Sequence, residues 1–125
     1  MSKNALIMGI ETSCDETAAA IIQDDSSGIP KILSNIVSSQ FDVHKKFGGV
    51  VPDLAARAHV EKIDLIVKEA LMKSKKSLND IDAVAATAGP GLIVCLSVGL
   101  NFAKALSLSL NLSLIHISEP TRQAE

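Results

Sequence analysis

The sequence has 125 residues, of which 47% are apolar and 21% charged, so it is long enough for one folded domain and too apolar for a disordered chain. Twelve basic side chains against fourteen acidic ones give a net charge of −2, which disfavours RNA binding by this segment alone, because nucleic-acid-binding surfaces are normally basic. Cys14 and Cys95 match no metal-binding spacing, and without a recognisable secretory signal we expect both to be reduced cytosolic thiols.

The N-terminal part has the pattern of a three-stranded meander. Residues 4–10 form an apolar run that predicts a buried strand, and residues 17–23 predict its antiparallel partner across a polar bend. Residues 32–37 predict a third strand, which follows the turn cluster "DDSSG".

Two helices and a further strand are predicted next. Pro52 suits the first turn of a helix, and apolar side chains recur on one face until lysines end the helix near residues 73–76. Residues 77–80 resemble a capping box with Asp in place of Glu or Gln, and they start one short turn. Residues 81–88 predict a buried strand, and residues 93–108 predict a second, mostly buried helix after "TAGPGL".

This order predicts an α/β fold with the element order βββαβα, a mixed sheet whose faces are covered by helices. The regular pattern stops after the second helix, where a further parallel strand is expected. Residues 83–103 carry no charge and are long enough to span a bilayer. Because "GPG" inside them marks a turn, we interpret them as a core strand followed by a core helix and expect no membrane segment.

The polar bend "ETSCDET" carries the first candidate chemistry. A tight bend exposes backbone N–H groups, and Thr12 and Ser13 add hydroxyl donors, which together suit phosphate oxygens. The neighbouring acids Glu11 and Glu16 would repel phosphate unless a divalent cation lies between them or one of them acts as a base. A solvated polar hairpin without a ligand accounts for the same residues equally well, so both interpretations stay open.

The turn "TAGPGL" is a second candidate site. Gly89 and Gly91 lie between a buried strand and a helix, where glycines let a backbone approach a ligand and a helix N-terminus favours an anion. A plain strand-to-helix turn is the interpretation we prefer, since the motif is not a full phosphate loop. We interpret His59 as a partly exposed surface histidine on the first helix and His44 as a solvated loop residue.

Three segments, "GIETSCDETAAAI", "FGGVVPDLAARAHVEKI" and "IDAVAATAGPGLIVCLSVGLNFAKAL", resemble in their order the N-terminal part of the TsaD family, the bacterial tRNA adenosine threonylcarbamoyltransferases. The resemblance implies an incomplete first subdomain of an actin-like ATPase (ribonuclease-H-like) fold. It also implies a cytoplasmic acyltransferase that moves the threonylcarbamoyl group from threonylcarbamoyl adenylate to the adenosine next to the anticodon of tRNA. The implied partners are a small actin-like paralogue and a small ATPase of the same modification pathway.

The resemblance also implies roles for particular residues. Glu16 matches a family acid that we expect to take part in the transfer or to orient the adenylate. Nucleotide and phosphate binding is predicted for Glu11, Thr12, Ser13, Gly89 and Gly91. The family's His-x-x-x-His motif, which holds a divalent metal (iron or zinc), lies beyond this chain, and His116 has no histidine four residues on. No metal ligand is therefore predicted here.

Residues 112–125 do not resemble the family. The stretch "LSLIHISEPTR" looks like the in-frame translation of a sequencing adapter, so we expect residues 1–111 to be the family segment and the rest to be an artefact. Such a fragment is expected to be inactive alone and to expose apolar side chains on its helices. The alternatives are a non-catalytic actin-like subunit that pairs with a partner in the same pathway, and a metabolite kinase of the same fold. Paired downstream histidines favour the enzyme over the subunit.

Overall fold

In the part of the chain that the structure describes, the fold has five strands and two long helices. The structure is a computed structural model that describes residues 4–14, 16–25, 27–39 and 52–118. Its elements follow in the order β1 (Leu6–Glu11), β2 (Glu16–Gln23), β3 (Lys31–Ser39), α1 (Pro52–Ser74), a 3-10 turn (Leu78–Asp80), β4 (Ala83–Gly89), α2 (Ile93–Leu110) and β5 (Ser113–Ser118). The predicted order of three strands, helix, strand and helix is confirmed.

The strands form one mixed sheet in the order β3-β2-β1-β4-β5. Strands β1, β2 and β3 pair antiparallel, as the predicted meander requires, whereas β1 pairs parallel with β4, and β4 with β5. Ile10 in the central strand β1 lies opposite Ala19 on one side and Ala86 on the other. The carboxyl ends of β1 and β4 therefore lie side by side at one edge of the sheet.

Both helices pack on the same face of this sheet. The hydroxyl of Ser34 in β3 donates to the carbonyl of Ala70 in α1 at 2.7 Å, and Gly99 in α2 lies against Ile10 on that same face. The apolar core fills the layer between helices and sheet, with Met8 and Ile21 fully buried. The expectation that helices cover both faces is thus wrong for the described part of the chain, because α1 and α2 lie beside each other.

Strand β5 follows directly on the end of α2. The helix ends in a Schellman-type cap, in which Asn111 takes the left-handed conformation (φ 56°) and the amide of Leu112 donates to the carbonyl of Ser107 at 2.8 Å. The chain then pairs parallel with β4 from Ser113 onward. The prediction that the regular pattern stops after the second helix is therefore wrong, since a further parallel strand is present where one was expected.

By length and composition, α2 alone among the described helices could cross a membrane. One such helix is weak evidence, since the core helix of a soluble protein passes the same test. Cys95, Gly99 and Ala103 on α2 are buried, but only 28% of the helix is, so the prediction of a mostly buried helix is wrong. Ile93 and Leu108 are each 82% exposed, so the expectation of apolar side chains at the helix surface is confirmed.

Candidate functional site at the carboxyl ends of β1 and β4

The two candidate turns identified in the sequence meet in space. β1 runs into the polar bend and β4 runs into the glycine turn, and these strands are parallel neighbours. The amide of Leu92, just after the glycine turn, donates to the carbonyl of Ser13 in the bend at 2.8 Å. Ligands in open α/β sheets bind beyond the carboxyl ends of the strands. The junction of the bend and the glycine turn is therefore the candidate functional site.

Of the two glycines in the turn, only Gly91 is held against the bend. A Cβ added to Gly91 would lie 2.6 Å from the carbonyl oxygen of Ser13 and 2.7 Å from its Cβ, so the close approach of the two turns requires glycine there. A Cβ added to Gly89 would meet nothing within 4 Å. Gly91 thus has a packing reason for its identity, whereas the predicted phosphate-binding roles of both glycines stay predictions.

Thr12 fastens the bend to helix α2. Its side chain is 2% exposed, and its hydroxyl donates to the carbonyl of Cys95 at 2.7 Å while accepting from the amide of Gly99 at 3.0 Å. These two backbone groups lie one helical turn apart, so the hydroxyl bridges a turn of α2. In this structure the Thr12 hydroxyl is buried and already donates to the helix, so it does not face the bend as a donor. The predicted phosphate-binding role of Thr12 stays a prediction.

The carboxylate of Glu11 closes the other side of the bend. It accepts a short hydrogen bond from the amide of Ser13 and one of 2.9 Å from the hydroxyl of Thr87 in β4. The bend therefore already holds an anion, which is the carboxylate of Glu11. A phosphate placed at the Ser13 amide would have to displace Glu11 or share the site with a cation. Phosphate binding by Glu11 and Ser13 stays a prediction.

Glu16 lies where the bend passes into β2. It is the first residue of that strand, its side chain is exposed, and its Cα is paired with that of Ser39 in β3. An exposed carboxylate at the mouth of the bend can reach a bound substrate, which the predicted role requires. That role stays a prediction.

His59 lies in the site, contrary to the prediction of a partly exposed surface residue. It is 0% exposed, with Nδ1 2.7 Å from the hydroxyl oxygen of Thr17 and Nε2 2.8 Å from the carbonyl oxygen of Cys14. The prediction is wrong because Arg57 and Glu61, the charged neighbours of His59 in sequence, lie on the exposed side of α1, whereas His59 lies on its buried side. The helical spacing from Ala55 to His59 and on to Ile63, all buried, is the signal that would have placed it on the inner face.

Metal ligation finds no support in the part of the chain that the structure describes. No group of three or more His, Cys, Asp or Glu side chains there is arranged to hold a metal ion. His116 in β5 is exposed, and His44 lies outside the described residues. The divalent metal implied by the resemblance stays a prediction for a longer protein.

Comparison with known families decides the affiliation. The model of the TsaD family, described as tRNA N6-adenosine threonylcarbamoyltransferase, matches residues 31–121. The chain belongs to the TsaD family. It is 64% identical over 118 residues to the tRNA N6-adenosine threonylcarbamoyltransferase of Pelagibacter ubique, an alignment that covers 94% of this chain and 33% of the relative. The protein of the same name from Bacillus subtilis is 50% identical over 115 residues, which cover 92% of this chain and 32% of that one.

The chain spans about one third of the length of these TsaD relatives. The TsaD match continues past residue 111, where we predicted the family segment to end, and it includes β5. The origin of residues 112–125 stays a prediction.

Solved structures agree on the fold. YeaZ from Pseudomonas aeruginosa superposes with a TM-score of 0.66 at 15% sequence identity, over 92% of this chain and 43% of YeaZ. RuvC from T. thermophilus, in complex with a Holliday junction substrate, gives 0.57 at 13% identity over 91% of this chain and 66% of RuvC. At such low identities the likeness concerns the fold alone. The predicted actin-like, ribonuclease-H-like fold class is thereby confirmed.

Proposed function

We propose that this chain is the N-terminal segment of a tRNA N6-adenosine threonylcarbamoyltransferase. The observation that carries the proposal is the match to the TsaD family over residues 31–121, together with 64% identity to a relative of that name. The substrates are then tRNA and threonylcarbamoyl adenylate, and the protein works in the cytoplasm. The small actin-like paralogue and the small ATPase of the pathway are the proposed partners of the whole protein.

The proposed reaction is an acyl transfer. The N6 nitrogen of adenosine bonds to the carbonyl carbon of the threonylcarbamoyl group, the bond from that carbon to the phosphate oxygen breaks, and AMP leaves with the electron pair. The nitrogen then gives up a proton. Such a step depends on positioning and on donors for the leaving phosphate more than on a covalent intermediate.

The site supports this reaction through two of its properties. The carboxylate of Glu16 is exposed, and in this proposal it takes part in the transfer as the base that accepts the amine proton, or it orients the adenylate. The bend and the glycine turn meet at the strand ends, where a phosphate would take the Ser13 amide from the Glu11 carboxylate, since the Leu92 amide already donates to Ser13. The divalent metal implied by the family would be held by residues other than those described here.

A chimera tests the proposal. Residues 1–111 replace the matching segment of the full-length Pelagibacter ubique relative, and the chimera is expressed in a bacterial strain depleted of its own transferase. Mass spectrometry of digested tRNA then measures threonylcarbamoyladenosine. We expect the chimera to restore the nucleoside and Glu16→Gln to lower it by about a hundredfold or more. Glu61→Gln, on the exposed side of α1, is the matched control and should leave it unchanged.

Two results would contradict the proposal in different ways. A soluble, expressed chimera without the nucleoside would argue against the transferase function of this segment. Full modification with Glu16→Gln would remove only Glu16 from the mechanism.

The non-catalytic subunit remains a second candidate, favoured by a groove between the two helices. The groove has a volume of about 420 Å³ and is lined largely by the apolar side chains of Val60, Ile63, Val98 and Phe102. A helix of a partner protein could bury these side chains. The discriminating observation is the downstream gene sequence, where paired histidines support the enzyme and their absence supports the subunit.

For residues 112–125 we propose an origin in a sequencing adapter. Amplifying and resequencing the source DNA from codon 100 onward tests this. A different sequence after codon 111 supports the proposal, and the same codons in the genome refute it.

A further inference from the structure

We propose that His59 is a positioning residue, which holds the bend so that Glu16 faces the substrate; this inference rests on the function proposed above. The bend is attached to α2 on one side through Thr12 and Ser13. On its other side the buried imidazole of His59, in α1, contacts Cys14 and Thr17. These two residues flank Glu16, so the imidazole spans the segment that carries the carboxylate.

The partners of His59 determine which ring nitrogen carries the proton. The carbonyl of Cys14 can only accept, so Nε2, 2.8 Å away, must donate to it. In a neutral imidazole Nδ1 is then an acceptor, and the hydroxyl of Thr17 donates to it over 2.7 Å. The ring thus uses one donor and one acceptor, fixed about 2 Å apart, to hold two points of the chain.

This geometry requires a hydrogen-bond donor and an acceptor at residue 59, which packing alone would not require. An apolar side chain of similar size can fill the space at residue 59, but it leaves the Cys14 carbonyl and the Thr17 hydroxyl without that partner. A glutamine offers an N–H donor and a C=O acceptor on one amide group and can contact both. His59→Gln should therefore preserve the position of the bend, whereas His59→Leu should release it while keeping the core filled.

Ser34 supplies a matched control. Its hydroxyl also ties the sheet to α1, with a buried hydrogen bond of 2.7 Å to the carbonyl of Ala70, but far along the helix from the bend. Ser34→Ala removes a tether of the same kind without touching the segment that holds Glu16. If the substitutions act only by loosening the packing of α1, both His59→Leu and Ser34→Ala should lower activity. If His59 positions the bend, only His59→Leu should do so.

The activity test uses the chimera described above, purified and assayed in extract of the depleted strain. We expect His59→Leu to lower kcat about tenfold or more with KM for tRNA unchanged within about twofold, since the substrate surface is retained and the carboxylate is displaced. His59→Gln should recover at least a third of the parent kcat, and Ser34→Ala should retain it. Equal kcat for His59→Leu and the parent, or equal losses for His59→Leu and Ser34→Ala, would overturn the proposal.

A second measurement tests the clamp, which is formed by the hydrogen bonds of His59 with Cys14 and Thr17, independently of the transferase. Nitrogen-15 NMR of the 125-residue chain should show the neutral imidazole of His59 protonated at Nε2, and amide exchange in the bend should be about tenfold faster in His59→Leu than in Ser34→Ala. A proton on Nδ1 alone, or unchanged exchange, would refute the clamp. An inactive parent chimera with the expected NMR result would refute the transferase function and the proposed role in it, while leaving the clamp itself established.

Discussion

Replacing Gly99 by alanine should reveal how closely α2 approaches the bend. A Cβ at this position would lie 2.6 Å from the Thr12 hydroxyl oxygen and 3.4 Å from Cγ2 of both Thr12 and Ile10. The hydroxyl cannot turn away freely, because it donates to Cys95 and accepts from Gly99. The substitution must therefore compress this contact or break two buried hydrogen bonds.

The magnitude follows from two opposing effects. Breaking the two buried hydrogen bonds would cost about 2 kcal/mol, and overpacking this part of the core would cost about 1–3 kcal/mol. The destabilising effect is therefore about 1–3 kcal/mol whichever of the two occurs. Alanine is favoured over glycine inside a helix by about 1 kcal/mol. We expect Gly99→Ala to lower the free energy of unfolding by about 1 kcal/mol in the parent chain, within a range of about 0–2 kcal/mol, which is about 4 °C in Tm at this length.

A double-mutant cycle isolates the contact. Thr12→Ala removes the hydroxyl that the new Cβ would meet, so Gly99→Ala should be neutral or stabilising by up to about 1 kcal/mol in that background. Urea unfolding followed by far-UV circular dichroism is the suitable assay, since the chain has no Trp or Tyr. The same loss of stability from Gly99→Ala in both backgrounds would refute the reasoning.

Three further outcomes are expected. Iodoacetamide should label the exposed Cys14 much faster than Cys95, whose pKa is raised by burial and, to a smaller degree, by Cys14; equal rates by mass spectrometry would contradict this. Hydrogen bonds from the amide and hydroxyl of Ser77 hold the pKa of the Asp80 carboxyl below its ordinary value. The carboxylate therefore stabilises the fold fully at a pH above the ordinary pKa, and this contribution is lost as the pH falls through the lowered pKa. An NMR titration of the Asp80 carboxyl should show the lowered midpoint, and a midpoint at or above the ordinary value would exclude this contribution. Gly91→Ala should lower the unfolding free energy by about 1–3 kcal/mol because of its backbone clash, whereas Gly89→Ala, with open space around it, is the control; similar effects of the two in urea unfolding would contradict the contact.

Much of the secondary structure could be predicted because it depends on local patterns. The predicted helix from Pro52 ends at Ser74, close to the lysines expected to end it. The short turn begins at the predicted box, where the Asp80 carboxylate accepts from the amide of Ser77 at 2.9 Å. Strand β5 is not predicted, although "SLIHIS" has β-branched residues, because the stretch that contains it looks like a translated sequencing adapter.

The sequence by itself determined β1 to β4, the two described helices and the chemical character of the bend, since apolar period and turn residues act over a few positions along the chain. Only the tertiary structure decided which of those polar groups remain available. The Thr12 hydroxyl is hydrogen-bonded to Cys95 and Gly99, which lie 83 and 87 positions further along the chain. The His59 ring contacts Thr17 and Cys14, from which it is separated by 42 and 45 positions. Such contacts depend on strand order and on which helix face meets the sheet. Hydrogen bonds between segments this distant have no periodic trace in the sequence.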